Sequence, residues 1–420
     1  MSLIKKPVTG MKDMLPEEMQ IRDYVMDEIK NTYAKFGFSH IETPCVEHIE
    51  NLCSKQGGEN EKLIFKVLKR GEKLNLETAN EENDLVDSGL RYDLTVPLAR
   101  FYANNAANLN QPFKALQMGN VWRADRPQKG RFRQFVQCDI DILGEPSNLA
   151  EIELVLATTT LLGKLGFENF KVHINERRIL KAMAAYSGFA EEDYDQVFIQ
   201  LDKMDKIGID GVKEALLGCE FAPECVEKYM TLFDKMNAAE DKLAFLKDEL
   251  GDCLEEGVAD NLAEIFATVE AAKKADCEIM FDPTLVRGMS YYTGTIFEIE
   301  MKELNCSVAG GGRYDKMIGK FTGNDTPACG FSIGFERIIT ILLERGFKVP
   351  NADNKIAFLL EKGMDAARTG EIIAEAQALR EEGKIVLVAK MNKNKKFQKE
   401  QLMKDGYTEF KDFYREALKN

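Results

Sequence analysis

The chain has 420 residues, 45% hydrophobic and 30% charged, with a formal net charge of −14. That size predicts two or three domains, and that balance describes a folded globular chain rather than a disordered or membrane-spanning one. No uninterrupted apolar run reaches the roughly 20 residues a membrane-crossing helix needs, and the acidic sum argues against general polyanion affinity while leaving local basic faces open.

The opening MSLIKKPVTGMKDMLPEE lacks the apolar core and cleavage pattern of a secretion signal. Nine cysteines at irregular spacings, with no C-x-x-C pair, predict reduced thiols and a cytoplasmic location. Only His40, His48 and His173 are present, which argues against a histidine-rich zinc site. Cys219 and Cys225 read as helix packing rather than half of a metal site.

In chain order, Ile21, Tyr24, Val25, Ile29 and Tyr33 recur at helical spacing, so a helix is expected over 17–36, broken by Gly37. Residues 38–44 read as a short strand ended by Pro44. From 63 to 144 the pattern is strand-rich, and strands over 116–125 and 133–141 flank a basic loop at 126–131, which predicts an antiparallel hairpin. A helix follows over 149–165, with Ser147 or Asn148 as cap, then a strand over 170–174. Residues 175–275 turn rich in Glu, Lys, Ala and Leu at helical spacing and read as a helical insertion. Strands return between 279 and 300 and at 306–310, a helix starts near Phe335, and 351–354 reads as a linker. The tail reads as strand, helix, strand and further helix, a small α/β unit whose residues 410–418 form a closing helix.

Five arginines and lysines crowd the hairpin: Arg123, Arg126, Lys129, Arg131 and Arg133. Strand alternation puts Arg131 and Arg133 on one face. Planar guanidinium forks on a rigid hairpin suit phosphate, and a solvated charged turn is the competing reading. Gln137, Asp139 and Asp141 share a face of the second strand, where buried carboxylates are costly unless paired or used. They accept from a substrate amine or imidazole, or they pair with arginines.

Arg287-Gly-Met-Ser-Tyr-Tyr-Thr-Gly294 and Ala309-Gly-Gly-Gly-Arg-Tyr-Asp315 bring glycines, aromatics and arginine together, and side-chain-free positions permit close backbone approach. Neither fits a P-loop or a dinucleotide fingerprint. In Gly330-Phe-Ser-Ile-Gly-Phe-Glu-Arg337 a strand runs into a helix, setting Arg337 where the helix dipole favours anions or where it pairs with a nearby glutamate.

In this order the segments resemble the histidyl-tRNA synthetase family over nearly the whole chain. Gly10-Met-Lys-Asp-Met-Leu-Pro16 is similar to the family's N-terminal entry, and residues 38–44 to class II motif 1. Val121-Trp-Arg-Ala-Asp-Arg-Pro-Gln-Lys-Gly-Arg-Phe-Arg-Gln-Phe135 resembles motif 2, and Gly334-Phe-Glu-Arg337 resembles motif 3. The Arg287 and Gly310 stretches resemble the two histidine-specific motifs.

The resemblance implies an α+β fold: a class II synthetase antiparallel sheet flanked by helices, a helical insertion and a small C-terminal α/β domain. The implied domains are 1–174 (core, motifs 1 and 2), 175–275 (insertion), 276–350 (core, histidine motifs and motif 3) and 355–420 (a shortened anticodon-binding-like domain). It implies a homodimer that activates L-histidine with ATP and Mg2+ and passes it to tRNA(His). Arg123 and Arg337 would hold ATP phosphates, with Arg131 and Asp125 also at the nucleotide. Asp93, Thr95 and Gln137 would hold the ammonium end of histidine. Asp141 and Tyr292 would take the imidazole, with Tyr291, Gly310 and Gly311 beside them, and Arg287 would sit at the α-phosphate and carboxylate. Arg126, Gln128 and Lys129 would meet tRNA.

Two departures stand out. Asp93, Asp125 and Asp141 occupy positions where many bacterial members carry glutamate. Residues 355–420 are too few for the family's usual five-stranded C-terminal domain. The short tail keeps a reading of another class in play: the histidine-binding, non-catalytic regulatory subunit of ATP phosphoribosyltransferase. The intact Arg287 stretch, the Arg123 and Arg337 pair and the insertion favour the ligase.

Overall fold

The computed structural model describes residues 3–53, 60–128, 130–286, 291–303, 306–350 and 355–415. Two compact units emerge: Met1–Lys12 with Asp27–Ile341, and Asp13–Met26 with Leu342–Asn420. The expected 351–354 linker lies outside the described residues. Among the described residues no helix is long and apolar enough to cross a membrane.

The strands begin with β1 (Ser39–Ile41), β2 (Val46–His48), β3 (Lys66–Leu68) and β4 (Val86–Leu90). Then come β5 (Phe113–Trp122), β6 (Gln134–Leu143), β7 (Phe170–Glu176) and β8 (Cys277–Phe281). β9 (Thr295–Met301), β10 (Cys306–Arg313) and β11 (Ala328–Ile333) complete the first unit, and β12 (Lys355–Leu360), β13 (Ile385–Lys390) and β14 (Glu409–Phe413) belong to the second.

The first unit is built on an eight-stranded sheet in the order β1-β5-β6-β11-β10-β9-β7-β8. From β5 to β7 every neighbour is antiparallel, whereas the edge strands β1 and β8 pair in parallel. The expected antiparallel sheet is thus present, with parallel edges. Helix Leu149–Lys164 packs on β6 and β11, burying Leu154, Val155, Leu161 and Leu162 completely. Because successive side chains on a strand point to opposite faces, Cys138, Ile140 and Ile142 of β6 alternate with Gln137, Asp139 and Asp141. The pleat therefore gathers the polar set on one face. β2, β3 and β4 form a separate small antiparallel sheet.

The predicted hairpin forms, with Trp122 opposite Gln134. Its strands end earlier than expected, so Arg131 and Arg133 lie in the connecting loop and strand alternation does not set their direction. Arg123 N still donates across the hairpin to Arg133 O at 2.9 Å, but beyond it Ala124 N turns to Leu63 O and Arg133 N to Gly10 O, and the ladder stops. Pro127 has no N–H to offer, and Gly130 turns the chain at φ +72°.

Between β7 and β8 run helices Arg177–Ser187, Tyr194–Leu201, Met204–Leu217, Pro223–Ala238, Lys242–Leu250 and Val258–Ala272. Phe189, Tyr229 and Phe233 stack edge to face in their core.

In the second unit β13-β12-β14 form a parallel sheet with helices Ala366–Glu381 and Lys395–Lys404. Here the expected closing helix over 410–418 is overturned, since Glu409–Phe413 is a strand paired with β12. The reason is a period of two. Asp412 accepts from Lys395 and Lys399, and Phe410 lies under Lys399. On the other face Lys411 pairs with Glu375 and Phe413 packs on Phe358 at 5.0 Å.

Candidate active site

A cavity of about 310 Å³ opens on the polar face of the large sheet. Asp93, Thr95, Arg123, Asp125, Arg131, Gln137, Asp141, Tyr291, Tyr292, Gly310, Gly311 and Arg337 all line it. Residues from Asp93 to Arg337 thus share one wall system, because β5, β6, β11 and β10 are spatial neighbours. Arg126 and Gln128 are exposed on the loop and do not line the cavity. Arg287 and Lys129 lie outside the described residues.

Asp93 is presented by a buried polar network. Gln117 donates to Leu94 O at 3.0 Å, and Arg91 Nε donates to Asn120 O at 2.8 Å. Asp93 Oδ1 accepts from Val96 N at 3.1 Å, just ahead of helix Thr95–Asn105. Such ties fix a loop carboxylate as rigidly as a strand would.

Arg123 is held before any ligand arrives. Its Nε donates to Tyr92 O at 3.0 Å, and its guanidinium lies 4.3 Å from the Tyr92 ring centroid and 5.1 Å from that of Phe135. This stacking keeps the cation aimed while leaving N–H groups for an anion. Arg337, at the start of helix Phe335–Glu344, donates to Ser307 O of β10. The Arg133 aliphatic stem would be struck by a side chain at Gly10, whose φ is +83°. The N-terminal Gly10 and the motif 2 loop therefore fit only as a pair.

The acid side is unusual. Asp139 and Asp141 are each 3% exposed. Burial pushes Asp139 up to about 7, countered by hydrogen bonds from Ser332 and Gln137. Burial, and then the neighbouring Asp139 charge, push Asp141 well above the usual carboxylate range. Tyr314 donates to Asp141 Oδ1 at 2.6 Å, and Asp141 Oδ2 has no hydrogen-bond partner among the described residues. An acceptor left spare in a buried site is suited to a ligand N–H. Tyr291 closes the same corner, 4.7 Å from Tyr292 and 6.0 Å from Tyr314 between ring centroids.

The glycines earn their place by contact. A Cβ at Gly311 would overlap Gly330 O, and one at Gly330 would overlap Asp141 Oδ1. The backbone is bare here because strand and carboxylate approach too closely for a side chain.

Sequence reasoning missed Tyr314, although it stands inside the Gly-Gly-Gly-Arg-Tyr-Asp run. Its reach to Asp141 depends on β10, β11 and β6 being adjacent, which no spacing reveals. Phe135, the second ring over Arg123, was also unassigned. Among the described residues no group of three or more His, Cys, Asp or Glu is arranged to hold a metal ion.

The family model described as histidyl-tRNA synthetase matches residues 10–338. A protein of Leifsonia xyli subsp. xyli (strain CTCB07) named histidine--tRNA ligase is 46% identical over 344 residues, 80% of each chain. The crystal structure of histidyl-tRNA synthetase from Nostoc sp. PCC 7120 superposes with a TM-score of 0.76 at 27% identity, covering 96% of this chain and 90% of that one. A Bacillus halodurans C structure titled as an ATP phosphoribosyltransferase regulatory subunit/histidyl-tRNA synthetase gives 0.78 at 21% identity, covering 99% of this chain and 100% of that one; at that identity it speaks for the fold alone. With the family model spanning most of the chain and close relatives matched over four-fifths of it, the chain belongs to the histidyl-tRNA synthetase family.

Proposed function

We propose that the chain is a histidine–tRNA ligase: it joins histidine to ATP as histidyl-adenylate, then transfers the histidyl group to tRNA(His). One observation carries this reading. A single cavity sets acceptors for a cation and an imidazole (Asp93, Gln137, Asp141) beside the guanidinium groups of Arg123, Arg131 and Arg337.

The chemistry follows from those groups. The histidine carboxylate attacks the α-phosphorus in line, forming the C–O–P bond, and pyrophosphate leaves with the electron pair of the broken P–O bond. Charge builds on phosphate oxygens, so preorganised cations are the natural catalysts and no protein nucleophile is required. Arg123 and Arg337 take the phosphates, and Arg131 assists from the loop with Asp125 beside it. Asp93, Thr95 and Gln137 take the ammonium group. Asp141 accepts from the imidazole with Tyr291 and Tyr292 packed around it, and Gly310 and Gly311 let the substrate lie against β10. Recognition of a ring N–H by a buried acceptor discriminates more strongly than an apolar pocket does. The family resemblance puts Arg287 at the α-phosphate and the substrate carboxylate. The described residues offer no three-carboxylate cluster, so magnesium would be carried mainly by the nucleotide phosphates, its usual mode. No step is assigned to it.

In the second step a ribose hydroxyl of the tRNA 3′ end attacks the adenylate carbonyl and AMP departs. Arg126, Gln128 and Lys129 on the motif 2 loop would meet that end. The proposed division is a core of 1–174 with 276–350, an insertion at 175–275 and an anticodon-binding-like domain at 355–420, in a cytoplasmic homodimer.

Histidine-dependent ATP–pyrophosphate exchange without tRNA tests the reading. Exchange specific to histidine supports it, and Arg287→Ala should cut that exchange sharply without unfolding the protein. Histidine binding with no exchange would support the regulatory-subunit reading instead.

A further inference from the structure

The site reading leaves one buried carboxylate without a task. Asp139 stands between Gln137 and Asp141 on β6, opposite Gln117 of β5 and Ser332 of β11. Gln137 Nε2 donates to Asp139 Oδ2 at 2.9 Å and Oδ1 at 3.2 Å, and to Ser332 Oγ at 3.2 Å. Its Oε1 accepts from Arg123 at 3.4 Å. The amide thus has its nitrogen committed to the sheet and its oxygen turned toward the cationic side of the cavity.

A glutamine can bind either way round, and only the oxygen end accepts. A carboxylate can only accept, so Asp139 fixes which end of Gln137 is presented. Were the amide reversed, its NH2 would face the Arg123 guanidinium and any ammonium group, donor against donor. We propose that Asp139 is a positioning residue for amino-acid binding: it locks the Gln137 amide so that Oε1, with a lone pair to spare, receives the substrate ammonium. This rests on the amino-acid-binding reading above, and it gives Asp139 a role through Gln137 rather than through contact with substrate.

The lock has a pH signature. Asp139 is coupled electrostatically to Asp93 ahead of helix Thr95–Asn105, Asp141 on its own strand, Arg123 from the loop after β5, Tyr291 ahead of β9, and Tyr33 from helix Pro16–Lys35. Burial among these groups brings its carboxyl up to about 7. Once protonated, Asp139 gains a donor of its own and no longer selects the Gln137 orientation by itself.

The test is a double-mutant cycle on the full chain, read as KM for histidine in pyrophosphate exchange. Asp139→Asn should raise KM about tenfold, equivalent to the ~1.4 kcal/mol of one hydrogen bond, with the change in KM rather than kcat. Made in a Gln137→Ala background, the same substitution should change KM by less than about twofold, because no amide remains to orient. A full-sized effect in that background would mean direct attraction between Asp139 and the substrate, and would overturn the proposal. In the unsubstituted protein KM should climb as pH falls below about 7, and Gln137→Ala should remove that climb beyond what the substrate's own imidazole titration produces. This second measurement stands even if Asp139→Asn does not fold, and an unaltered climb in Gln137→Ala counts against the lock. If exchange is absent, the ligase reading fails separately, and the same cycle is read from histidine Kd by calorimetry. Absence of both exchange and histidine binding would end both.

Discussion

Replacing Tyr314 with phenylalanine isolates the imidazole corner of the site. The substitution deletes one hydroxyl and keeps the ring that packs 6.0 Å from Tyr291. What disappears is the 2.6 Å hydrogen bond to Asp141 Oδ1, made where both residues are at most 3% exposed. A hydrogen bond to a charged group contributes about 1.5–3 kcal/mol, and each 1.4 kcal/mol is a factor of ten. The expected loss in kcat/KM for histidine is therefore about ten- to a hundredfold. The sign of the pH effect is fixed too. That hydrogen bond pulls Asp141 downward against its burial, so its removal drives the carboxyl still higher. The variant holds more of the neutral acid at neutral pH, which is the poorer acceptor, and should regain part of its affinity as pH rises. Pyrophosphate exchange at several histidine concentrations and pH values measures this, with thermal unfolding as the control for folding. A KM shift below about twofold would refute the assignment of Asp141 as imidazole acceptor, as would a loss confined to kcat.

Arg123→Ala should lower exchange by about a hundredfold to a thousandfold, the usual consequence of losing one preorganised donor to a phosphoryl transition state. Single-turnover adenylate formation reads this directly. Glu151→Ala removes the buried carboxylate that holds the Arg313 guanidinium bidentate at 2.6 and 2.7 Å, leaving that charge Asp315 and the Glu145 and Ser147 carbonyls, and should destabilise the protein by up to about 3–5 kcal/mol in denaturant titration. Adding Arg313→Met should recover much of that loss, and an equal loss in the double variant would contradict the stranded-charge account. The raised carboxyl of Asp139 lends the ligand-free protein stability that is full below the ordinary carboxylate pKa of about 4 and lost as pH rises through about 7. Thermal unfolding of Asp139→Asn across that window should show a flatter pH dependence than the unsubstituted chain. Gly311→Ala should yield little soluble protein, because the new Cβ collides with Gly330 O across the β10–β11 pair; normal expression and melting would show that the two strands can part.

The sequence by itself determined the local order. Helical spacing of Val25, Ile29 and Tyr33 fixed the first helix, found over Pro16–Lys35, because burying an apolar stripe is a local consequence of a 3.6-residue period. Alternation on β6 put Gln137, Asp139 and Asp141 on one face, and the motif stretches supplied Arg123, Arg131, Tyr291, Tyr292, Gly310, Gly311 and Arg337 of the cavity lining. Where local and long-range demands competed, the sequence was ambiguous. Phe410 to Phe413 read as a helix in isolation and became an edge strand once β12 supplied a hydrogen-bonding partner and two helices supplied opposite faces. Likewise Arg133 falls just outside the strand it is expected to open, because its N–H is drawn to Gly10 O, distant in sequence. The tertiary structure alone decided that Tyr314 touches Asp141, that Gln137 is pinned end-on by Asp139, and that Phe135 and Tyr92 sandwich Arg123. The first of these is set by which strands become neighbours in the sheet, and strand order is a property of global packing that no local period encodes.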